Sequence, residues 1–261
     1  MKKKHIIKIT IWLLIVIGTG VGMMLKNNSN RIVFEDEAMG KLIAQSAGVN
    51  SVEELKEEDL EKVKMLNIGY TGYYDTLLDI GKCQQLDTLV IGCPEYTYCH
   101  YHRQGKEIPK PESKERIQQI EKELEEILKE CPNLRCLYIS NEDKNCKLDN
   151  LEFLKYGTEL EVLRLEEQSI VANEELLECK NLRYLSLYGS EVFDLSIISD
   201  FKDLKGLNLG GTNISTAEDI LKLENLEYLA ISNTPLAENK EELQLIYKEF
   251  SDIDIYKGEE R

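Results

Sequence analysis

An α/β solenoid of about eight parallel strands is the fold class that the sequence predicts, and three observations lead to it. An apolar trio at first, fourth and sixth place recurs with a step of 22 residues: Leu182, Leu185, Leu187, then Leu204, Leu207, Leu209, then Leu226, Leu229, Ile231. A serine or threonine follows each trio three places on (Ser190, Thr212, Thr234), and an apolar residue two places later (Val192, Ile214, Leu236). The register also extends outward. Upstream stand Leu160/Leu163/Leu165, Leu134/Leu137/Ile139, Leu86/Leu89/Ile91 and Val63/Leu66/Ile68, and downstream Phe250/Ile253/Ile255. A fixed period of 20–29 residues marks stacked units that share one core.

Each trio explains its own strand. Side chains alternate along a strand, so the fourth and sixth places point one way, into the core, and the third, fifth and seventh point out. Eight strands about 4.8 Å apart span roughly 34 Å. The Ser/Thr column fits a sharp turn, where a hydroxyl bonds a backbone group left unpaired.

The flanks read as caps. Residues 31–62 form a helical N-terminal cap: Glu35 to Ala47 has apolar residues at helical spacing with Gly48 as a stop, and Ser51 with Glu54 makes a capping box for a second helix. Residues 63–237 hold the repeats, and 238–261 the C-terminal cap, a helix over Glu238 to Glu249 with Leu243, Ile246 and Tyr247 inward, followed by the last strand. One insertion, 92–130, lengthens a step from 22 to 48 residues. Its second half, from Ser113, is an amphipathic helix expected to pack on the convex side.

Charge restricts the partners. The chain of 261 residues has a formal net charge of −16. Five of its 32 basic residues fall in residues 1–30 with no acid, leaving 27 against 48, a balance of −21. Such a surface repels phosphate backbones, so no nucleic-acid partner is expected. Residues 1–30 have lysines ahead of an uncharged stretch, Ile9 to Leu25, closed by Lys26. They read as a signal anchor, with residues 6–25 crossing the cell membrane and the repeats outside, or as a cleaved signal peptide that leaves the domain secreted. Of the seven cysteines, Cys83, Cys131 and Cys179 each stand three places before a first leucine, where other units have Phe201 and Leu223. They are expected to be buried free thiols on the convex side. Cys146 falls in a polar loop.

The outward places define a concave face. Tyr138, Arg164, Tyr184, Tyr188, Asn208 and Tyr228 are its candidate contact residues, since rigid aromatic side chains and arginine carry much binding energy. Gly206 and Gly210 should leave a groove between aromatic rows. The first half of the insertion, from Cys93 to Lys106, leaves from the C-terminal end of a strand and adds Tyr96, Tyr98 and Tyr101 as a tyrosine-rich rim loop. Cys93, Cys99, His100 and His102 in the same stretch allow a metal site or a Cys93–Cys99 bridge as alternatives, although their spacing follows no zinc motif. No cofactor is implied, and no acid–base pair or nucleophile set is visible, so an enzyme is not expected.

The trios with 22-residue steps resemble the bacterial leucine-rich-repeat proteins of the internalin-like group. The N-terminal segment looks like that of surface-anchored members in Gram-positive bacteria. The resemblance covers roughly residues 50–256 and implies a non-enzymatic extracytoplasmic module that binds a protein or peptide. It implies no catalytic residues. A structural or oligomerising envelope protein is the alternative, and a metal-binding or enzymatic module built on the Cys93–His102 loop is a further one.

Overall fold

The computed structural model describes residues 31–92, 110–141, 146–170, 174–192 and 195–258. The calls on residues 6–25, on Cys93, Cys99, His100 and His102, and on Tyr96, Tyr98 and Tyr101 lie outside them. Among the described residues no helix is long and apolar enough to cross a membrane.

Eight strands form one parallel sheet: β1 (Met65–Gly69), β2 (Thr88–Ile91), β3 (Cys136–Ser140), β4 (Val162–Glu166), β6 (Tyr184–Ser186), β8 (Gly206–Asn208), β9 (Tyr228–Ala230) and β10 (Asp254–Tyr256), in that order across the sheet. A second, two-stranded ladder pairs β5 (Ser169–Ile170) with β7 (Glu191–Val192). The expected register holds from β1 to β9, where Leu66, Leu89, Leu137, Leu163, Leu185, Leu207 and Leu229 occupy one row of paired residues; in β10 it is shifted by two, because the helical crossing before it is longer than expected, and Ile255, expected at the sixth place, pairs with Leu229 at the fourth and ends the row. Each of these except Ile255 is buried, as are the sixth-place residues beside them. Ile255 is half-buried because nothing stacks beyond the last strand.

The turns after β4, β6, β8 and β9 have a repeated cause. Glu167, Gly189, Gly211 and Asn233, all at the eighth place, adopt positive φ of 56–69°. The ninth place then turns its side chain inward. Thr212 Oγ1 donates to the Leu209 carbonyl (2.6 Å) and Thr234 Oγ1 to that of Ile231 (2.7 Å). Ser190 Oγ reaches the preceding unit, donating to the Leu165 carbonyl and accepting from the Gln168 backbone N–H. Gln168 fills the same column one unit earlier and is 3 % exposed, its amide bonded to Leu148 N and the Cys146 carbonyl. On the entry side, Asn133, Asn181 and Asn225 each donate to a backbone carbonyl of the unit before.

Convex segments are mostly short 3-10 turns, such as Leu78–Lys82 and Glu152–Tyr156. The exception is α3 (Lys114–Glu130), capped by the Ser113 hydroxyl, which accepts from Arg116 N. It packs on the convex side, as its amphipathic pattern predicts. Two buried carboxylates fix it between its neighbours. Glu123 accepts from Leu77 N and Thr76 Oγ1 of the unit before. Glu121 accepts from Asp149 N and Asn150 N of the unit after. These bonds replace the water that both carboxylates lose on burial.

The caps differ in detail from expectation. Helix α1 (Glu37–Ser46) is capped by Asp36, whose carboxylate accepts from Met39 N, and stops at Gly48 with φ 75°. Ser51 and Glu54 form a turn, not a helix: Glu54 N donates to the Ser51 carbonyl and Leu55 N to that of Val52, and the i→i−4 bonds of a helix do not follow. The second short helix is α2 (Glu57–Leu60), with Asp59 accepting from Lys56 N. At the other end, α4 (Pro235–Glu238) is separated from α5 (Lys240–Glu249) by Asn239, which caps α5. Leu243 and Ile246 point inward, but Tyr247 is 50 % exposed, contrary to expectation. The core stripe narrows where the stack ends.

Cys83, Cys131 and Cys179 are buried free thiols on the convex side. Cys146, expected in a polar loop, is also fully buried and continues the core. Burial pushes all four thiols up from 9.0 to about 12.

Two predictions follow from this packing. Leu207→Asp places an unpaired carboxylate in the shared core, and the thermal transition should collapse by several kcal/mol of stability. A wild-type melting curve would contradict the register. Because the four thiols ionise more readily in the unfolded chain, that state binds fewer protons above pH 9, so their contribution is full below pH 9 and lost as pH rises toward 12. Thiol titration should find them unreactive until the protein is denatured, and Cys→Ala at Cys83 and Cys179 should flatten the alkaline fall in melting temperature.

Candidate functional site on the concave sheet

With the fourth and sixth places turned inward, the third, fifth and seventh form a concave face. Its centre, on β3, β4, β6 and β8, is an interlocked set of side chains. Arg164 stands between two phenol rings, its guanidinium carbon 5.2 Å from the Tyr138 ring centre and 5.1 Å from that of Tyr184. At this range the negative ring faces attract the cation. Beside it Glu166, only 6 % exposed, has both carboxylate oxygens occupied: Tyr138 Oη donates to Oε2 (2.5 Å) and Ser186 Oγ to Oε1 (2.9 Å). Register explains the pattern, because Tyr138 pairs with Arg164 and Ser140 with Glu166, so Glu166 lies one diagonal step from Tyr138.

The set corrects two expectations. Tyr138 is 4 % exposed, so its ring is support for the face, not an exposed contact. Burial, and then the neighbouring Glu166 charge, push its hydroxyl above the ordinary tyrosine range. The second correction concerns the glycines of β8. A Cβ at Gly206 would come 2.6 Å from the Tyr184 ring, and one at Gly210 would meet the Tyr188 ring at 3.0 Å. The two tyrosines lie over these glycines and fill the space where a groove was expected. A large side chain at either glycine would displace a ring.

Tyr184, Tyr188, Tyr228, Arg164 and Asn208 remain half-exposed. Asn208 is braced: its Oδ1 accepts from Gly210 N (3.0 Å), and its amide bonds Tyr184. Burial raises the Tyr184 hydroxyl as well. Met65 on β1 and Tyr256 on β10 add exposed area at the two ends of the face, 54 % and 49 % exposed.

Glu166 and Ser186 were not singled out as site residues. The available signal was a carboxylate at a seventh place, where other units carry glycine, serine or tyrosine, in register with a tyrosine and a serine on adjoining strands. Among the described residues no group of three or more His, Cys, Asp or Glu side chains is placed to hold a metal ion.

The fold is similar to that of solved structures. An internalin C2 from Listeria monocytogenes superposes with a TM-score of 0.51 at 20% identity, over 78% of this chain and 86% of that one. The fold is a leucine-rich repeat. Another Listeria monocytogenes internalin matches at TM-score 0.40 and 16% identity, over 87% of this chain and 83% of that chain. A leucine-rich-repeat protein of Leptospira interrogans matches at 0.37 and 17%, over 76% of this chain and 62% of its own. No protein-family model and no curated protein matches the chain. At such identities the likeness is one of fold.

Within this leucine-rich-repeat face, support and contact residues are separable. Tyr138→Ala should cost about 3–5 kcal/mol of unfolding free energy, as buried aromatic truncations do. Tyr184→Ala should cost about 1 kcal/mol or less. Denaturant titration of the two variants measures both, and equal losses would contradict the division.

Proposed function

We propose that the chain is a non-enzymatic binding module that recognises a protein or peptide on its concave leucine-rich-repeat face. The observation that carries this reading is the Arg164 guanidinium held between Tyr138 and Tyr184, with Tyr184, Tyr188 and Tyr228 presented half-exposed on a rigid sheet. Tyrosine and arginine lose little conformational freedom when already braced, so contact with them yields net affinity. The tyrosine-rich segment with Tyr96, Tyr98 and Tyr101 follows the C-terminal end of β2 and joins the proposed contact region. The lysine-flanked apolar stretch, residues 6–25, supports placing the module outside the cell membrane, anchored or, after cleavage, secreted.

A structural, self-associating role is the second reading. It is favoured by the end of the stack, where Leu245, Tyr247 and Tyr256 are 46–50 % exposed beside the edge strand β10. Cross-linking capture from envelope extracts, with light scattering on the bait, tests both. A dominant partner should be captured by the wild-type chain and lost from the Tyr184/Tyr228 double-alanine chain. Partner capture unaffected by that change would remove the concave face from the reading. Stable oligomers without a partner would favour the structural role.

A further inference from the structure

Arg164 differs from the other arginines among the described residues. Arg31, Arg116, Arg135 and Arg183 each lie within 4.0 Å of a glutamate oxygen. Arg164 has no such partner among the described residues; the carboxylate nearest in sequence, Glu166, is engaged by Tyr138 and Ser186, and the Tyr138 hydroxyl also bonds Arg164. Its place is also singular. Of the residues at the third and fifth places of the eight strands, only Arg164 and Asp254 are charged, and Asp254 is on the end strand. The one cation on this face therefore sits at mid-sheet, on β4, held between two rings with no carboxylate in direct contact. A half-buried guanidinium forgoes part of its hydration, and its planar fork of donors matches a carboxylate in two parallel hydrogen bonds.

We infer that Arg164 is the anchor for a partner carboxylate, supplied by an Asp or Glu side chain within an extended segment of a partner protein that crosses the strands. This rests on the concave-face binding reading and specifies its partner. An internal residue is required, not a chain terminus, because the face continues on both sides of Arg164, toward β1 and toward Tyr228 on β9. A chain end seated at Arg164 would leave half of it uncovered. The rest of the segment is neutral or basic. Residues 31–261 carry a balance of −21, and that field repels a peptide rich in acid. The predicted partner segment thus has a single central acid in neutral or lysine-containing sequence, with apolar or aromatic neighbours against Tyr184 and Tyr228.

Bead-bound nine-residue peptides test this against the full chain in mild detergent micelles. The central position is fixed as Glu, Asp, Gln, Asn or Lys, and the other positions are randomised among uncharged residues and Lys. The Glu and Asp sets should retain the protein about tenfold or more over the Gln and Asn sets, as expected for a charge-assisted pair. R164Q should erase that preference while keeping the Tyr184-dependent retention common to all sets. R164K, which preserves charge without the fork, should keep only part of the preference. Equal retention of all sets, lost in Y184A, would leave the concave-face reading standing and overturn the carboxylate anchor. A preference for Lys, or an acid preference unchanged in R164Q, would also overturn it. No retention of any set above blank beads would overturn both.

Discussion

Everything in this structure depends on the lateral stacking of one leucine row. Each unit has to leave its strand, cross the convex side and return one strand spacing further on with its fourth and sixth residues facing the same interior. Backbone hydrogen bonds enforce that step at both ends of the strand. On the entry side Asp87, Arg135, Glu161, Arg183, Lys205 and Glu227 each donate from their backbone N–H to the carbonyl at the same place of the unit before. On the exit side Gly189 N reaches Gly210 O and Gly211 N reaches Ser232 O. Between them the leucines lose their water together, so no unit is stable without a neighbour.

The concave surface is a consequence of that step and not a separate invention. Alternation delivers every third, fifth and seventh residue to one side, at strand spacing, with the backbone beneath already paired. Side chains there can engage laterally, which is how Tyr138, Arg164, Glu166, Tyr184 and Ser186 come to lock one another. The buried carboxylates follow a common logic. Glu121, Glu123 and Glu166 each give up hydration but receive donors held by the fold, and Asp79 accepts from Asp36 N and Lys82. Satisfied in this way, they specify geometry.

The repeat register was legible because it rests on residue type at fixed spacing. Leu66 through Leu229 need only a ruler and the period-two rule. Even the 23-residue step between Leu66 and Leu89 has a local cause, a register irregularity between Asn67 and Gly69 that absorbs the extra residue. The convex cysteines were legible for the same reason. What escaped was lateral. Tyr138 counted as exposed because a single strand shows which side a ring faces, not what lies across from it. The glycines at 206 and 210 suggested empty space because a missing side chain on one strand says nothing of a ring leaning over from the next. Tyr247 failed differently: its helical spacing was right, but the stack had no further unit to cover it. The apolar N-terminal stretch and the tyrosine-rich segment are outside the described residues.

Helix α3 bears on the shape of the concave face. Packed helices stand about 8–10 Å from their neighbours, whereas paired strands are about 4.8 Å apart. A 17-residue helix inserted between the Leu78–Lys82 and Glu152–Tyr156 turns acts as a wedge on the outer side while the strands inside keep their ordinary spacing. The sheet must bend more sharply across β2, β3 and β4 than across β6 to β10, where narrow turns follow one another. The wedge flanks the strands that carry Tyr138, Arg164 and Glu166, whereas narrow turns back those of Tyr184, Tyr188 and Tyr228, so the two halves of the face rest on different supports.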